Sequence, residues 1–122
     1  MWKVLICDDE AMTRRGLTRM IGHCRQDMEV VGAAAQGEEA CAMIEQLRPS
    51  IVFMDINMPV VDGYEATRAI RKISKEVPIL AITAFAFESD REKALEAGCT
   101  DYLTKPISRD LLHQKLILYL GE

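Results

Sequence analysis

The chain has 122 residues, about one domain, enough to bury most of the surface that the unfolded form exposes. Hydrophobic residues make up 49% and charged residues 28%, a balance that excludes a disordered chain. The formal net charge is -4 and no cluster of Lys and Arg along one face is evident, which argues against general nucleic-acid binding.

The chain starts Met1-Trp2-Lys3 and then runs through Val4-Leu5-Ile6 into Cys7-Asp8-Asp9, with no apolar stretch of signal-peptide length. No run is long enough to span a bilayer. Cys7, Cys24, Cys41 and Cys99 form no C-x-x-C pair and read as structural thiols, so a reducing, cytoplasmic location is expected.

Short apolar runs at Lys3 to Cys7, Glu29 to Ala35, Ser50 to Met54, Pro78 to Thr83 and Thr100 to Thr104 predict five strands. Between them come sets with helical spacing: Leu17, Met20, Ile21 and Cys24; Ala40, Met43, Ile44 and Leu47; Ala66, Ala69, Ile70 and Ile73. Two further helices are predicted, from about Ser89 to Ala97 and from about Ser108 to Leu120. Asp62 with Glu65 and Ser89 with Glu92 have the spacing of capping boxes. Gly98 closes the fourth helix, and Pro49 and Pro78 each separate a helix from the next strand.

Five strands alternating with five helices imply an α/β fold, a doubly wound parallel sheet covered on both faces, because parallel neighbours need crossover connections. The strands are apolar almost throughout, as burial on both faces requires. In such sheets the ligand site lies beyond the carboxyl ends of the strands. There the first strand delivers Asp8-Asp9-Glu10, the third Asp55, the fourth Thr83 and the fifth Lys105-Pro106, while the second is expected at the sheet edge.

Three carboxylates crowded together repel, so either one stays protonated or a cation sits among them. Asp8, Asp9 and Asp55 suit a hard divalent cation, and few protein ligands with room for water favour Mg²⁺ over Ca²⁺. Lys105 adds a compact positive charge, and such a pocket balances best when phosphoryl oxygens arrive.

Phe53-Met54-Asp55-Ile56-Asn57-Met58-Pro59 followed by Asp62-Gly63, together with Asp8-Asp9, Ile82-Thr83-Ala84 and Tyr102-Leu103-Thr104-Lys105-Pro106, resembles the receiver domain of two-component response regulators. The resemblance covers essentially the whole chain, so residues 1–122 are expected to form a single receiver domain. It implies a flavodoxin-like sheet of order 2-1-3-4-5.

The same resemblance implies that Asp55 accepts a phosphoryl group from a phosphohistidine on a histidine kinase or histidine phosphotransfer protein. Asp9, Asp55 and the backbone carbonyl of Asn57 would hold Mg²⁺ directly, and Asp8 would act mainly through a water. Lys105 would pair with Asp55 at rest, Thr83 would give its hydroxyl to a phosphoryl oxygen, and Tyr102 would swing in behind it. A cis peptide bond is expected before Pro106. Asn57 and Phe85 would flank the path of attacking water and set the lifetime of the phosphate. The chain is thus expected to be a switch with slow autodephosphorylation, not an enzyme of small-molecule metabolism.

The residues carry plainer readings when taken singly. Asp8-Asp9 could be a helix N-terminal charge pair, Lys105 a surface lysine, Thr83 a β-branched strand former and Tyr102 an edge aromatic. His23 and His113 have no partner at metal spacing and read as solvated or boundary residues. The last helix carries Leu111, Leu112, Leu116, Ile117, Leu118, Tyr119 and Leu120 around its turns, more than one core face needs. With Phe85 and Phe87 it offers a signalling or homodimer face.

Three rival functions fit parts of the pattern. A phosphatase of the haloacid dehalogenase type also uses an Asp beside Mg²⁺, but its nucleophile ends the first strand. A flavin binder of the same architecture would need a Ser/Thr/Gly-rich phosphate loop after the first strand, where this chain has Asp8-Asp9-Glu10. A pure interaction module would carry no phosphate. The chain ends at Gly121-Glu122, soon after the last helix, so no output domain is expected within it. The half through Asp62-Gly63 is similar to receivers that precede DNA-binding domains, and Ile79 to Ile107 to receivers of hybrid sensor kinases.

Overall fold

The computed structural model describes residues 2–56, 63–83 and 88–121. Strands and helices alternate from the start: β1 (Trp2–Cys7), α1 (Ala11–Cys24), β2 (Met28–Ala34), α2 (Gly37–Leu47), β3 (Ile51–Asp55), α3 (Gly63–Ile73), β4 (Ile79–Thr83), α4 (Glu88–Ala97), β5 (Asp101–Thr104) and α5 (Arg109–Leu120). All four strand pairings are parallel, in the order β2-β1-β3-β4-β5. The doubly wound sheet and its order 2-1-3-4-5 are therefore as expected, with β2 at an edge.

Period-2 alternation divides the core between two faces. On one, Leu5, Cys7, Val52, Met54, Ile79 and Ala81 pack against Ala40 and Ile44 of α2, Ala66 and Ile70 of α3 and Ala94 of α4. On the other, Val4, Ile6, Phe53, Leu80, Ile82 and Leu103 pack against Leu17 and Ile21 of α1 and Leu112 and Leu116 of α5. Every residue of β3 and β4 is buried, which is why those segments read as continuous apolar runs. Each large side chain in this core, Phe53 for example, contributes roughly 1.5–3 kcal/mol by leaving water.

Element ends differ from the sequence reading by a residue or so, for identifiable reasons. β1 starts at Trp2 because its N–H donates to the Asp27 carbonyl at 2.8 Å and its Cα pairs with Met28. Ser108 is the N-cap of α5 and accepts from the Leu111 N–H at 3.3 Å, so the helix proper begins at Arg109. α4 begins at Glu88, which puts Ser89 inside the first turn and not at a cap. Asp62, the other expected cap, lies outside the described residues.

On α3 the buried stripe runs through Ala66, Thr67 and Ile70, while Ile73 is 43% exposed. Thr67 can be buried because its hydroxyl donates back to the Gly63 carbonyl at 2.7 Å. Gly98 ends α4 with φ of 114°, a left-handed position that suits glycine.

Candidate functional site

Sheet register sets the site. Cys7 pairs with Met54, so the next residues, Asp8 and Asp55, leave β1 and β3 at the same level. Asp55 pairs with Ile82, one residue before Thr83, and Thr83 pairs with Thr104, one residue before Lys105. Four chemistry-bearing side chains thus reach the carboxyl edge of neighbouring strands because the strands are in register, not because they are near in sequence.

Asp8, Asp9 and Asp55 each offer a carboxylate oxygen within 4.8 Å of the others. Asp8 and Asp55 are buried, whereas Asp9 is exposed at the mouth. Lys105 Nζ lies 3.6 Å from Asp8 Oδ2 and 3.9 Å from Asp55 Oδ2, so at rest it leans toward both and is slightly nearer Asp8. One lysine does not balance three carboxylates.

Asp8 is tied down on every side but one. Its N–H donates to the Ala34 carbonyl at 2.9 Å, its Oδ1 accepts from the Glu10 N–H at 2.9 Å, and its carbonyl accepts from Arg14 Nη1 at 2.6 Å. Its Oδ2 is fully buried with no hydrogen-bond partner. A buried oxygen of that kind is costly unless a cation or water meets it. The donor set is all oxygen, with one ligand exposed to solvent, which fits a hard divalent ion keeping several waters. A Mg²⁺ ion is therefore compatible with the residues present.

Thr83 is 3% exposed, and its carbonyl accepts the Lys105 N–H at 2.8 Å. The Lys105-Pro106 bond is cis. Tyr102 is half-buried and packs against the core face that α2, α3 and α4 cover. Its N–H donates to Asp101 Oδ1 at 2.8 Å, and Arg91 of α4 stacks over its ring with Cζ 5.7 Å from the centroid. Asn57 and Phe85 lie outside the described residues, as does Phe87.

Asp101 is the hub behind Tyr102. Its Oδ2 accepts from Lys115 Nζ at 2.6 Å and from the Tyr119 hydroxyl at 2.7 Å. Burial pushes the Asp101 carboxyl up, but these bonds and the Tyr102 amide outweigh it and hold the group below the usual carboxylate range. Tyr119 is pushed up to about 12, first by burial and then by its bond to that carboxylate. The Cys7 thiol, buried and facing Cys41 and Asp8, is raised well above its ordinary value and stays protonated.

Sequence reasoning missed three contributors: Arg14, Asp101 and Arg91. Arg14 had a signal, since an arginine in the second turn of a helix that starts just after the acids can reach back to the strand end. The sequence also suggested no basic cluster. The fold makes one, with Arg14, Arg15 and Arg19 of α1 lining a groove against Ala33 of β2.

The family described as Response regulator receiver domain matches residues 4–117. The transcriptional regulatory protein LnrK of Bacillus subtilis (strain 168) is 37% identical over 112 residues, covering 92% of this chain and 50% of that protein. The chain spans about half the length of the curated relatives it matches.

Among solved structures, the receiver domain of the sensor histidine kinase PA1611 from Pseudomonas aeruginosa PAO1, with a magnesium ion coordinated in its active site cleft, superposes with a TM-score of 0.87. It is 35% identical and covers 99% of this chain and 98% of that one. The co-crystal structure of the Saccharomyces cerevisiae histidine phosphotransfer signaling protein Ypd1 and the receiver domain of its downstream response regulator Ssk1 matches with a TM-score of 0.85. There the identity is 30%, over 97% of this chain and 88% of that one.

Register-built carboxylates, a lysine beside them, the 2-1-3-4-5 sheet and the match over residues 4–117 lead to one conclusion: the chain belongs to the receiver domains of two-component response regulators, phosphorylation switches whose family generally binds magnesium.

Proposed function

We propose that Asp55 is the phosphoacceptor, taking a phosphoryl group from a phosphohistidine on a histidine kinase or histidine phosphotransfer protein. An Asp55 carboxylate oxygen forms the new O–P bond as the P–N bond to the donor imidazole breaks, and the electron pair returns to the imidazole. The product is an acyl phosphate carrying roughly two negative charges. Asp8, Asp9 and Asp55 would hold Mg²⁺, with the Asn57 carbonyl as a further ligand. Bound there, the ion would neutralise charge on the phosphoryl oxygens.

The observation that carries this reading is the buried Asp8 Oδ2, which makes no hydrogen bond, has Lys105 Nζ 3.6 Å away and is grouped with two further carboxylates. Lys105 orients the Asp55 carboxylate and afterwards pairs with a phosphoryl oxygen. Thr83 donates its hydroxyl to another, and Tyr102 follows inward, exchanging its stacking against Arg91 for the space behind Thr83. Asn57 and Phe85 govern the approach of water and so the lifetime of the phosphate and its slow self-catalysed loss.

Residues 1–122 act in this reading as one receiver domain, in the cytoplasm, where buried thiols such as Cys7 and Cys99 stay reduced. The listener is an output domain or protein, and the last helix offers a homodimer face on which Leu111 and Leu118 are exposed. No helix among the described residues is long and apolar enough to cross a membrane. A phosphatase of the haloacid dehalogenase type is disfavoured, because the candidate nucleophile ends β3 and the family match is to receivers.

The decisive experiment is intact-mass measurement after incubation with acetyl phosphate and Mg²⁺. One phosphoryl addition is expected in the wild type and none in Asp55→Asn. A label that persists in Asp55→Asn removes Asp55 from the role.

A further inference from the structure

We propose that the cavity between the ends of α2 and α3, at the amino edge of the sheet, binds a free α-amino acid with an apolar side chain. It lies at the opposite end of the strands from Asp55, since Pro49 leads into β3 and Val77 into β4. Neither this reading nor the phosphoacceptor reading depends on the other. The cavity has a volume of about 430 Å³, within the range of roughly 300–1,000 Å³ that small-molecule pockets occupy. Such pockets join an apolar wall to a few polar groups that fix orientation.

The wall is made by Ile44, Pro49, Ile73 and Val77. Ile44 and Pro49 are buried and Val77 is half-buried, whereas Ile73 closes α3 with 43% of its surface exposed. Ile73 continues the buried stripe of its helix but ends against an open cavity. An apolar guest would cover it, and the removal of that surface from water would favour binding.

The polar part is Glu45, Arg48 and Ser74. Glu45 and Arg48 carry opposite charges and are exposed, and among the described residues neither forms an ion pair. Arg48 caps α2 in left-handed backbone, with φ 47° and ψ 64°, a position where glycine or asparagine is usual. That turn takes it out of helical line with Glu45. α2 has no basic side chain in its last turn, so the negative end of its dipole adds to Glu45 as a place for an ammonium group. The planar fork of Arg48 matches a carboxylate. Ser74 Oγ accepts from the Val77 N–H at 3.4 Å and keeps its own proton to donate.

A guest that satisfies all of this carries an ammonium and a carboxylate close together, with an apolar body beside them. A free α-amino acid has those three parts. An internal peptide segment has neither charge on its backbone, a phosphate-bearing ligand is repelled by Glu45, and a fatty acid leaves Glu45 without a cation. Leucine is the fitting probe because its side chain is aliphatic and branched like the wall.

The test is amide NMR of the whole isotope-labelled chain during titration with L-leucine. Saturable shifts are expected over residues 44–48 and 73–77, around the cavity. Isocaproate is leucine without its ammonium and isoamylamine is leucine without its carboxylate, and each is expected to bind about tenfold more weakly. Glu45→Gln should weaken leucine and isoamylamine but not isocaproate. Arg48→Gly should weaken leucine and isocaproate but not isoamylamine, and it puts the fold at no risk because glycine suits the left-handed backbone. Ile73→Ser should weaken all three.

Absence of saturable shifts with leucine would overturn the proposal, as would shifts centred on Asp8 and Asp55. Isocaproate or isoamylamine binding as tightly as leucine would overturn the zwitterionic guest. Leucine binding unchanged in both Glu45→Gln and Arg48→Gly overturns it too. If the same amides shifted with protein concentration alone, a second copy of the chain would be the occupant in place of the amino acid.

Discussion

Arg14 Nη1 donates to the carbonyl oxygen of Asp8 at 2.6 Å, which couples the second turn of α1 to the strand end that carries the buried carboxylate. Two effects of opposite sign meet here. As a cation near three carboxylates, Arg14 should weaken the binding of Mg²⁺; as an anchor for the Asp8 turn, it should strengthen it. The short contact to a backbone atom favours the anchoring effect, because the guanidinium charge points at the carbonyl and not at the carboxylate. Arg14→Ala is therefore expected to lower Mg²⁺ affinity roughly fivefold, the equivalent of about 1 kcal/mol for one hydrogen bond. Arg14→Lys should restore part of it, and titration calorimetry with the metal alone reads both. A rise in affinity on Arg14→Ala would mean that charge outweighs anchoring.

Crowding of Asp8, Asp9 and Asp55 within 4.8 Å predicts a stability change of its own. With Lys105 as the nearby cation, removing one negative charge relieves more repulsion than it loses attraction. Asp55→Asn is expected to raise stability in metal-free buffer by on the order of 1 kcal/mol. The wild type should gain stability as Mg²⁺ is added, by mass action, and the variant should gain far less. Thermal denaturation with and without the metal measures both. Equal metal-induced shifts in the two proteins would remove Asp55 from the ligand set.

How much of this was legible follows from what sets each feature. β3 and β4 were plain in the sequence because burial on both faces forces apolar runs, and a carboxylate at the end of such a run, Asp55, stands out by contrast. Asp8, Thr83 and Lys105 followed from the same rule about strand ends. Arg14 and the arginine groove were hidden because a helical stripe of arginines reads as an ordinary solvated face until β2 brings Ala33 opposite it. The surroundings of Tyr102 were hidden for a related reason: Asp101 is its neighbour in sequence, but Lys115 and Tyr119 reach Asp101, and Arg91 reaches the Tyr102 ring, only through tertiary packing. Ile73 had the right spacing for burial yet stays 43% exposed, since periodicity places a residue on a stripe without saying where the covering partner ends.

Two glycines distinguish close packing from mere helix propensity. A Cβ on Gly63 would lie 2.5 Å from the Asp55 carbonyl oxygen and 2.5 Å from the Ile56 Cα, both backbone atoms that cannot step aside. A Cβ on Gly16, within α1, meets nothing within 4 Å. Gly16→Ala should therefore stabilise the protein by about 0.5–1 kcal/mol, the usual helix-interior gain. Gly63→Ala should destabilise it by about 3 kcal/mol through overpacking and should slow acetyl phosphate labelling by displacing Asp55. Urea denaturation of the pair settles the signs, and a stabilising Gly63→Ala would contradict the close approach of α3 to the site.

The Asp101 hub predicts a loss of stability at each end of the pH range. Because the folded Asp101 carboxyl titrates below its unfolded value of about 3.9, its contribution is present above that pH and is lost as pH falls through the lower folded value. Tyr119 works in the opposite sense. Its hydroxyl is raised to about 12, against about 10 when unfolded, so its contribution is complete below about pH 10 and is lost as pH climbs through the folded value. In a spectrophotometric titration one tyrosine should ionise about two pH units late, and that phase should vanish in Tyr119→Phe. Asp101→Asn should remove the acid-side loss and also bring Tyr119 back toward its ordinary range, because burial alone would then hold it up. If Tyr119 still ionised equally late in Asp101→Asn, the bond between the two would not be what protects the hydroxyl. The same carboxylate group holds the Tyr102 amide: a variant that loosens Asp101 should free Tyr102 to leave Arg91, which Tyr102 fluorescence or ring NMR signals would register as faster exchange.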